Sequence, residues 1–202
     1  MAVNDFNFIA TFYDELAKLV FGKSLLKAQL VHLQNIRDTD HVLIIGGGTG
    51  ELLEHLPLCE SIDYVEKSRK MIHQAKNRQV NSAINFIQED FLLFKTDEKY
   101  DVIICPFFLD CFNRYNLQNA IVKCKKFMKN KGRLVIVDFD NERTNQFLSK
   151  IMLWFFRLST RLETRKLLNI RGSVLSSGFC EKQVKIFKKG IFNAVYVEAN
   201  KK

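Results

Sequence analysis

Apolar residues follow two kinds of pattern along the chain: short runs bounded by turn residues, and stripes at helical spacing. Residues 42–45 form a continuous aliphatic run, which is typical of a strand in a parallel sheet covered on both faces. Further runs follow along the chain. Strands are therefore predicted at residues 42–45, 61–66, 84–88, 100–105, 133–138, 183–188 and 191–198.

Between these runs, apolar residues recur every three or four positions, as on one face of a helix. Residues 67–78 and 117–128 each carry such a stripe, and a further helix is expected from Glu51 to Pro57. Residues 4–36 are predicted to form two helices, with Gly22 at the end of the first. Strands that alternate with helices indicate an α/β domain.

The turn after the first strand consists of Gly46, Gly47, Gly48, Thr49 and Gly50. Glycine allows unusual dihedral angles and close approach of a ligand, and N–H groups at a following helix start favour negative charge. The spacing is G-x-G-x-G, because residue 51 is Glu where a dinucleotide fingerprint needs a third glycine. The pattern therefore indicates an adenosine-containing cofactor in a Rossmann-like sheet.

Glu66 ends the second predicted strand, about twenty residues after the first glycine. A carboxylate at that place can accept hydrogen bonds from both hydroxyls of a ribose. In open α/β sheets, ligands lie outside the carboxyl ends of the strands. The loop after the fourth strand, residues 106–112, is therefore expected beside the ligand. Both segments are therefore expected at one binding site.

Together, VLIIGGGTG, YVEKSRKMI, FIQEDF, YDVIICPFFLDCF, KGRLVIVDF and SSGF resemble the class I S-adenosylmethionine-dependent methyltransferases over residues 12–197. The resemblance implies a three-layer α/β sandwich. Its mostly parallel seven-stranded sheet would have the order 3-2-1-4-5-7-6, with the last strand antiparallel. The cofactor implied is S-adenosyl-L-methionine, and no metal is expected.

The resemblance also implies the residues of the site. The cofactor would be bound by Tyr13, Gly46, Gly47, Gly48, Thr49, Gly50, Glu66, Lys67, Asp90, Phe91 and Cys105. A small acceptor, apolar or aromatic, would be bound by Phe107, Phe108, Asp110 and Trp154. Asp110 is the candidate general base, since it follows the fourth strand.

The sequence departs from the family at Ile44, where an acid usually helps to bind the cofactor's ammonium group. Spermidine synthase-like aminopropyltransferases carry aliphatic residues there, so they remain an alternative. The apolar loop of residues 105–108 argues against a polyamine substrate, because a buried cation needs a counter-charge. A non-catalytic module that binds a cofactor or a partner is the remaining alternative.

Length and composition limit the organisation of the chain. With 202 residues we expect one domain, residues 1–202, with an N-terminal helical cap at residues 1–37. Residues 142–172 are expected as a helical lid between strands five and six. Their basic and aromatic part, residues 147–161, could alternatively contact a membrane surface. The apolar run there is too short to span a bilayer.

The net charge of +9 is compatible with an acidic substrate, a nucleic acid, an anionic membrane or a plain basic surface. No nucleic-acid methyltransferase motif appears, so a small-molecule partner is expected. Neither a signal peptide nor a transmembrane run is present, and we expect a cytoplasmic protein. The oligomeric state and the methyl acceptor stay open.

Overall fold

The computed structural model describes residues 15, 21–139, 168–188 and 192–199. These residues form a seven-stranded sheet in the order β3-β2-β1-β4-β5-β7-β6. The strands are β1 His41–Ile45, β2 Ser61–Glu66, β3 Ala83–Gln88, β4 Tyr100–Pro106, β5 Met128–Phe139, β6 Phe179–Phe187 and β7 Phe192–Ala199. Strands β1 to β5 pair in parallel, and β7 is antiparallel to both β5 and β6. The predicted strand order is confirmed.

Helices and short 3-10 turns connect the strands. The α-helices are α1 Ser24–Leu30, α2 Arg69–Ala75, α3 Arg114–Phe127 and α4 Ile170–Ser176. The 3-10 turns are Leu33–Asn35, Glu51–His55 and Leu109–Cys111. Ser68 and Asn113 cap α2 and α3, since their side chains accept hydrogen bonds from the amides of Met71 and Asn116.

The sheet separates two apolar layers because successive side chains of a strand point to opposite faces. In β1, Val42 and Ile44 pack in one layer, with α1 and the turn Glu51–His55. Leu43 and Ile45 pack in the other, with α3 and α4. These four side chains are fully buried. This is the three-layer arrangement that the continuous apolar run predicts.

Three elements differ from the prediction. The segment after Gly50 is a five-residue 3-10 turn, not an α-helix, because Pro57 follows within two residues of its end. Strand β5 begins at Met128, and its register with β4 shifts between Met128 and Arg133, where Lys131 has a φ of 65°. Strand β6 begins at Phe179, directly after Gly178, where the sequence predicts residue 183.

Polar contacts attach the N-terminal segment to the sheet. His32 lies against the backbone of β7, with its Nε2 3.2 Å from the Ala194 carbonyl oxygen. Arg133 of β5 donates to the Asn35 carbonyl and forms a buried ion pair with Asp40. The segment that includes α1 is therefore attached to strands β5 and β7. Among the described residues, no helix is long and apolar enough to cross a bilayer.

Candidate active site

A cavity of about 350 Å³ opens at the carboxyl ends of the parallel strands. This edge includes the point where the chain order reverses between β1 and β4, which is where open α/β sheets bind ligands. The cavity is lined by residues 46–49, 65–67, 89–91 and 106–108, and by Gly22, Lys23, Leu25, Leu26, Gln29, Glu51, Met71, Cys111 and Phe112. The site therefore draws on β1, β2, β3, β4 and the segment around α1.

The glycine turn lies in the cavity wall, and neighbouring side chains explain its composition. A Cβ on Gly46 would lie 2.3 Å from the Phe108 ring, and a Cβ on Gly47 would lie 2.4 Å from the Tyr64 ring. Gly48 has a φ of +63°, and nothing lies within 4 Å of the position its Cβ would take. Gly46 and Gly47 are thus required by packing, whereas Gly48 is favoured by its positive φ and leaves open space beside its Cα.

The last two residues of the turn differ in position. Thr49 lines the cavity and is 4% exposed. Gly50 is absent from the cavity lining, and its φ of +76° begins the following 3-10 turn. A Cβ there would lie 2.8 Å from that of Ala75 on α2. Gly50 therefore serves the packing of α2, and its contact with the cofactor stays a prediction.

Glu66 lies in the cavity wall at the tip of β2 and is 8% exposed. Its Oε2 accepts from the Gly48 amide at 3.1 Å, and its Oε1 accepts from the Ser68 amide at 2.8 Å. Burial raises the pKa of Glu66, and the backbone hydrogen bonds oppose that rise. Each carboxylate oxygen has a second lone pair, so the fixed carboxylate can still accept hydrogen bonds from a ligand.

Lys67, Asp90 and Phe91 border the same cavity. Lys67 Nζ lies 2.9 Å from Asp90 Oδ2, and Asp90 Oδ1 accepts from the Leu92 amide at 3.0 Å. Phe91 is 3% exposed and packs edge-on against Phe108, with ring centroids 5.9 Å apart. The three residues thus place an ion pair beside an aromatic wall at the ends of β2 and β3.

The loop after β4 forms the aromatic side of the cavity, as the sequence predicts for Phe107 and Phe108. Phe107 has a φ of 54°, which is uncommon for a residue with a side chain. Its ring packs 5.1 Å from Phe139 and 5.7 Å from Phe192. Phe108 packs edge-on against Phe112 at 4.9 Å. These contacts hold the unusual backbone in place.

Two predicted residues lie away from the cavity. Cys105 is fully buried in the layer that contains α3, because it alternates with Ile104 along β4. Asp110 is absent from the lining and is 8% exposed. The 3-10 turn Leu109–Cys111 directs its carboxylate inward, toward Asp138 at the end of β5. Neither residue is among those that line the cavity, and their roles toward the cofactor and the acceptor stay predictions.

Other residues of the site were not predicted from the sequence. Lys23, Leu25, Leu26 and Gln29 line the cavity from the segment around α1, and Glu51 lines it from the end of the glycine turn. A helical cap was predicted at residues 1–37, but nothing in its spacing indicated which positions face the site. Tyr13, Trp154 and residues 147–161 lie outside the described residues, as does most of the predicted lid at 142–172.

The charges around the cavity are mainly negative. Among the described lining residues, Glu51, Glu66, Glu89 and Asp90 carry carboxylates, whereas Lys23 and Lys67 carry ammonium groups. Lys67 is already paired with Asp90. The cavity therefore complements a ligand with net positive charge, although the chain as a whole carries +9.

Comparison with known proteins agrees with this geometry. Residues 42–132 match the family model described as a methyltransferase domain. The chain is similar to malonyl-[acyl-carrier protein] O-methyltransferase from Bacillus cytotoxicus, at 32% identity over 150 residues, 72% of this chain and 51% of the relative. An uncharacterized protein from Methanocaldococcus jannaschii is 31% identical over 124 residues, 61% of this chain and 46% of that protein. The chain thus spans about half the length of these curated relatives.

Solved structures share the fold at low sequence identity. A complex between the Haloferax volcanii Trm112 methyltransferase activator and a putative methyltransferase matches with a TM-score of 0.74 and 10% identity, covering 100% of both chains. Magnesium protoporphyrin IX methyltransferase from Synechocystis, with bound S-adenosylhomocysteine, matches with a TM-score of 0.66 and 15% identity, covering 96% of both chains. Residues 42–132 therefore resemble a methyltransferase domain, and the sheet around them has the fold that these solved methyltransferase structures share.

Proposed function

We propose that the protein transfers the methyl group of S-adenosylmethionine to a small acceptor that is apolar or aromatic. The observation that carries the proposal is the joint placement of the glycine turn and Glu66 in the wall of one cavity. The excess of carboxylates in that wall supports a cofactor that carries a sulfonium and an ammonium group against one carboxylate.

In the proposed arrangement, Glu66 accepts hydrogen bonds from the ribose hydroxyls. Its carboxylate is oriented for this by the amides of Gly48 and Ser68. Asp90 accepts from the exocyclic amine of adenine, and Phe91 packs on the ring. The methionine part lies over Gly46, Gly47 and Gly48, and Phe107 and Phe108 contact the acceptor beyond the sulfur.

The chemistry asks little of individual side chains, because a sulfonium methyl is already activated. Holding donor and acceptor in line can lower the barrier by several kcal/mol. Asp110 does not reach the described cavity, and burial raises the pKa of the Cys111 thiol well above its usual range. The described aromatic wall is therefore proposed to orient the acceptor, without supplying a base.

Two flanking segments are proposed to complete the site. Residues 1–37 would act as a cap, which is supported by the four side chains around α1 that line the cavity. Residues 142–172 would act as a lid above the acceptor side. The lid proposal rests on the sequence pattern, since most of that segment lies outside the described residues.

Calorimetric titration with S-adenosylmethionine, S-adenosylhomocysteine, decarboxylated S-adenosylmethionine and NAD tests the cofactor. We expect binding of S-adenosylmethionine and of S-adenosylhomocysteine, and no heat with NAD. Tight binding of the decarboxylated analogue alone would replace the proposal with aminopropyl transfer. Binding of NAD alone would replace it with hydride chemistry.

Transfer of a labelled methyl group tests the acceptor. The similar Bacillus cytotoxicus protein is named as an O-methyltransferase acting on malonyl-[acyl-carrier protein], so a malonyl thioester belongs in the panel. Flat aromatic phenols and fatty acids test the apolar acceptors that the phenylalanine wall favours, and a polar amine completes the panel. Label in the aromatic or fatty compounds would support the proposed acceptor class, and label in a polar amine alone would contradict it.

A further inference from the structure

Asp138 connects the cavity-lining loop to the sheet, although it is absent from the cavity lining itself. It is the penultimate residue of β5 and is 4% exposed. Its Oδ2 accepts from the Leu109 amide at 2.9 Å and from the Asp110 amide at 3.2 Å. Its Oδ1 accepts from the Phe139 amide at 3.0 Å. One buried carboxylate thus fixes the turn that follows Phe107 and Phe108.

The carboxylate of Asp110 adjoins that of Asp138, and it also accepts from the Cys111 thiol at 3.4 Å. Burial raises the pKa of Asp110 to about 6 and that of Asp138 well above its usual range, to which the charge of Asp110 adds. Two adjoining buried carboxylates cannot both ionise without a large cost. Such a pair titrates as a unit and holds one proton between its members over part of the pH range.

Among the residues that the structure describes, the charged or titratable groups around the pair do not neutralise it. The Cys105 thiol is near Asp138. A hydrogen bond with Cys124, together with burial, raises the pKa of Cys105, and burial raises the pKa of Cys111, so these thiols stay neutral around pH 7. The charge of Glu66, on the cavity side, further raises the pKa of the Cys111 thiol. Arg171 borders a small cavity of about 20 Å³ together with Asp138, but its guanidinium is paired with Glu181 at 2.6 Å and 2.7 Å.

We propose that Asp138 is a positioning residue for the acceptor wall, and that a proton shared with Asp110 keeps the loop of residues 106–112 in its closed position. The loop carries five of the lining residues: Pro106, Phe107, Phe108, Cys111 and Phe112. The role of this wall as the acceptor side rests on the proposed function, whereas the attachment of the loop to β5 does not.

The direction of the pH effect follows from linkage. The closed loop binds protons more tightly than an open loop, in which water would surround both carboxylates. The closed state is therefore most stable at low pH and loses stability as the pH rises through about 6 and beyond. Each half of the proposal has its own variant: Asp138→Ala removes the attachment, and Asp110→Asn removes the second ionisable group.

Amide hydrogen exchange of the unliganded protein, corrected for intrinsic rates, measures the loop directly. Asp138→Ala should lower the protection of the Leu109 and Asp110 amides at least about tenfold, with little change in α3. In the wild type, that protection should fall as the pH rises from about 4 to about 6 and further as Asp138 ionises, and in Asp110→Asn the part of the fall up to about pH 6 should be lost. Asp101→Asn is the matched control, since Asp101 also accepts a backbone amide, from His41 at 3.0 Å.

Two results would overturn the proposal: undiminished loop protection in Asp138→Ala, or a wild-type pH dependence in Asp110→Asn. If Asp138→Ala does not fold, the pH dependence of loop protection in Asp110→Asn alone tests the proposal. Binding of S-adenosylhomocysteine separates this proposal from the proposed function. If the loop behaves as expected but the protein does not bind this compound, that result would support the attachment of the loop to β5 and contradict only its role as the acceptor side.

Discussion

Among single residues, Glu66 provides the main evidence for the proposed cofactor site. Its carboxylate is buried, borders the cavity and is oriented by two amides from different segments. We predict that Glu66→Ala weakens S-adenosylhomocysteine binding at least about tenfold, because hydrogen bonds to a charged group contribute about 1.5–3 kcal/mol. Calorimetry measures the change, and unchanged affinity would mean that the ribose lies elsewhere. Glu60→Ala, at the opposite end of β2, is the control.

Glu51 is the second residue with a testable role. The usual acid before the glycine turn is replaced by Ile44, which is fully buried in the core. Glu51 lines the cavity at the other end of the turn, so its carboxylate can attract the ammonium group of the cofactor. We predict that Glu51→Gln weakens S-adenosylhomocysteine about fivefold, which corresponds to a charged interaction of about 1 kcal/mol.

The same variant should leave 5′-methylthioadenosine binding unchanged, because that compound has no ammonium group. Glu54→Gln is the matched control, since Glu54 lies on the same 3-10 turn, outside the cavity lining, and pairs with Arg78 at 3.4 Å. Equal losses for the two ligands would show that Glu51 acts on the turn and not on the ammonium group.

Among the elements, the glycine turn and the loop after β4 depend on each other. A Cβ on Gly46 would lie 2.3 Å from Cδ2 of Phe108. We predict that Gly46→Ala costs about 1–3 kcal/mol more in the wild-type background than in Phe108→Ala, because only the first background contains the clash. Urea unfolding of the four proteins in this cycle measures the difference. An equal cost in both backgrounds would assign the whole effect to the φ of +66° at Gly46.

The elements also show what sequence patterns can and cannot predict. Strands of the sheet were predictable because buried parallel strands are continuous apolar runs, as in residues 42–45. Glu66 and Asp90 were predictable because carboxyl ends of parallel strands meet at one edge. Asp110 does not line the cavity, and adjacency to a strand end does not tell which way a 3-10 turn directs its side chain. Asp138 was missed because its partners are backbone amides 28 and 29 residues away.

For the whole molecule, the attachment of the N-terminal segment should matter for stability. Arg133 joins Asn35 and Asp40 to β5, and both charged side chains of the ion pair are at most 10% exposed. We predict that Arg133→Met costs about 3–5 kcal/mol, because it leaves the Asp40 carboxylate buried without its partner. Denaturant unfolding measures the free energy.

Lys129→Met is the comparison for this prediction, since its ion pair with Asp101 is 41% and 27% exposed. That change should cost less than about 1 kcal/mol. Similar losses in the two variants would show that the buried pair contributes no more to stability than a surface pair.

The central claim is that one cavity at the carboxyl edge of the sheet binds the cofactor through Glu66 and the glycine turn. A crystal structure of the S-adenosylhomocysteine complex tests it most directly, through the distances from the Glu66 carboxylate to the ribose hydroxyls. We predict hydrogen-bond distances of about 2.5–3.0 Å there, with the sulfur directed toward Phe107 and Phe108. A ligand bound elsewhere, or a Glu66 carboxylate that contacts only Gly48 and Ser68, would contradict the claim.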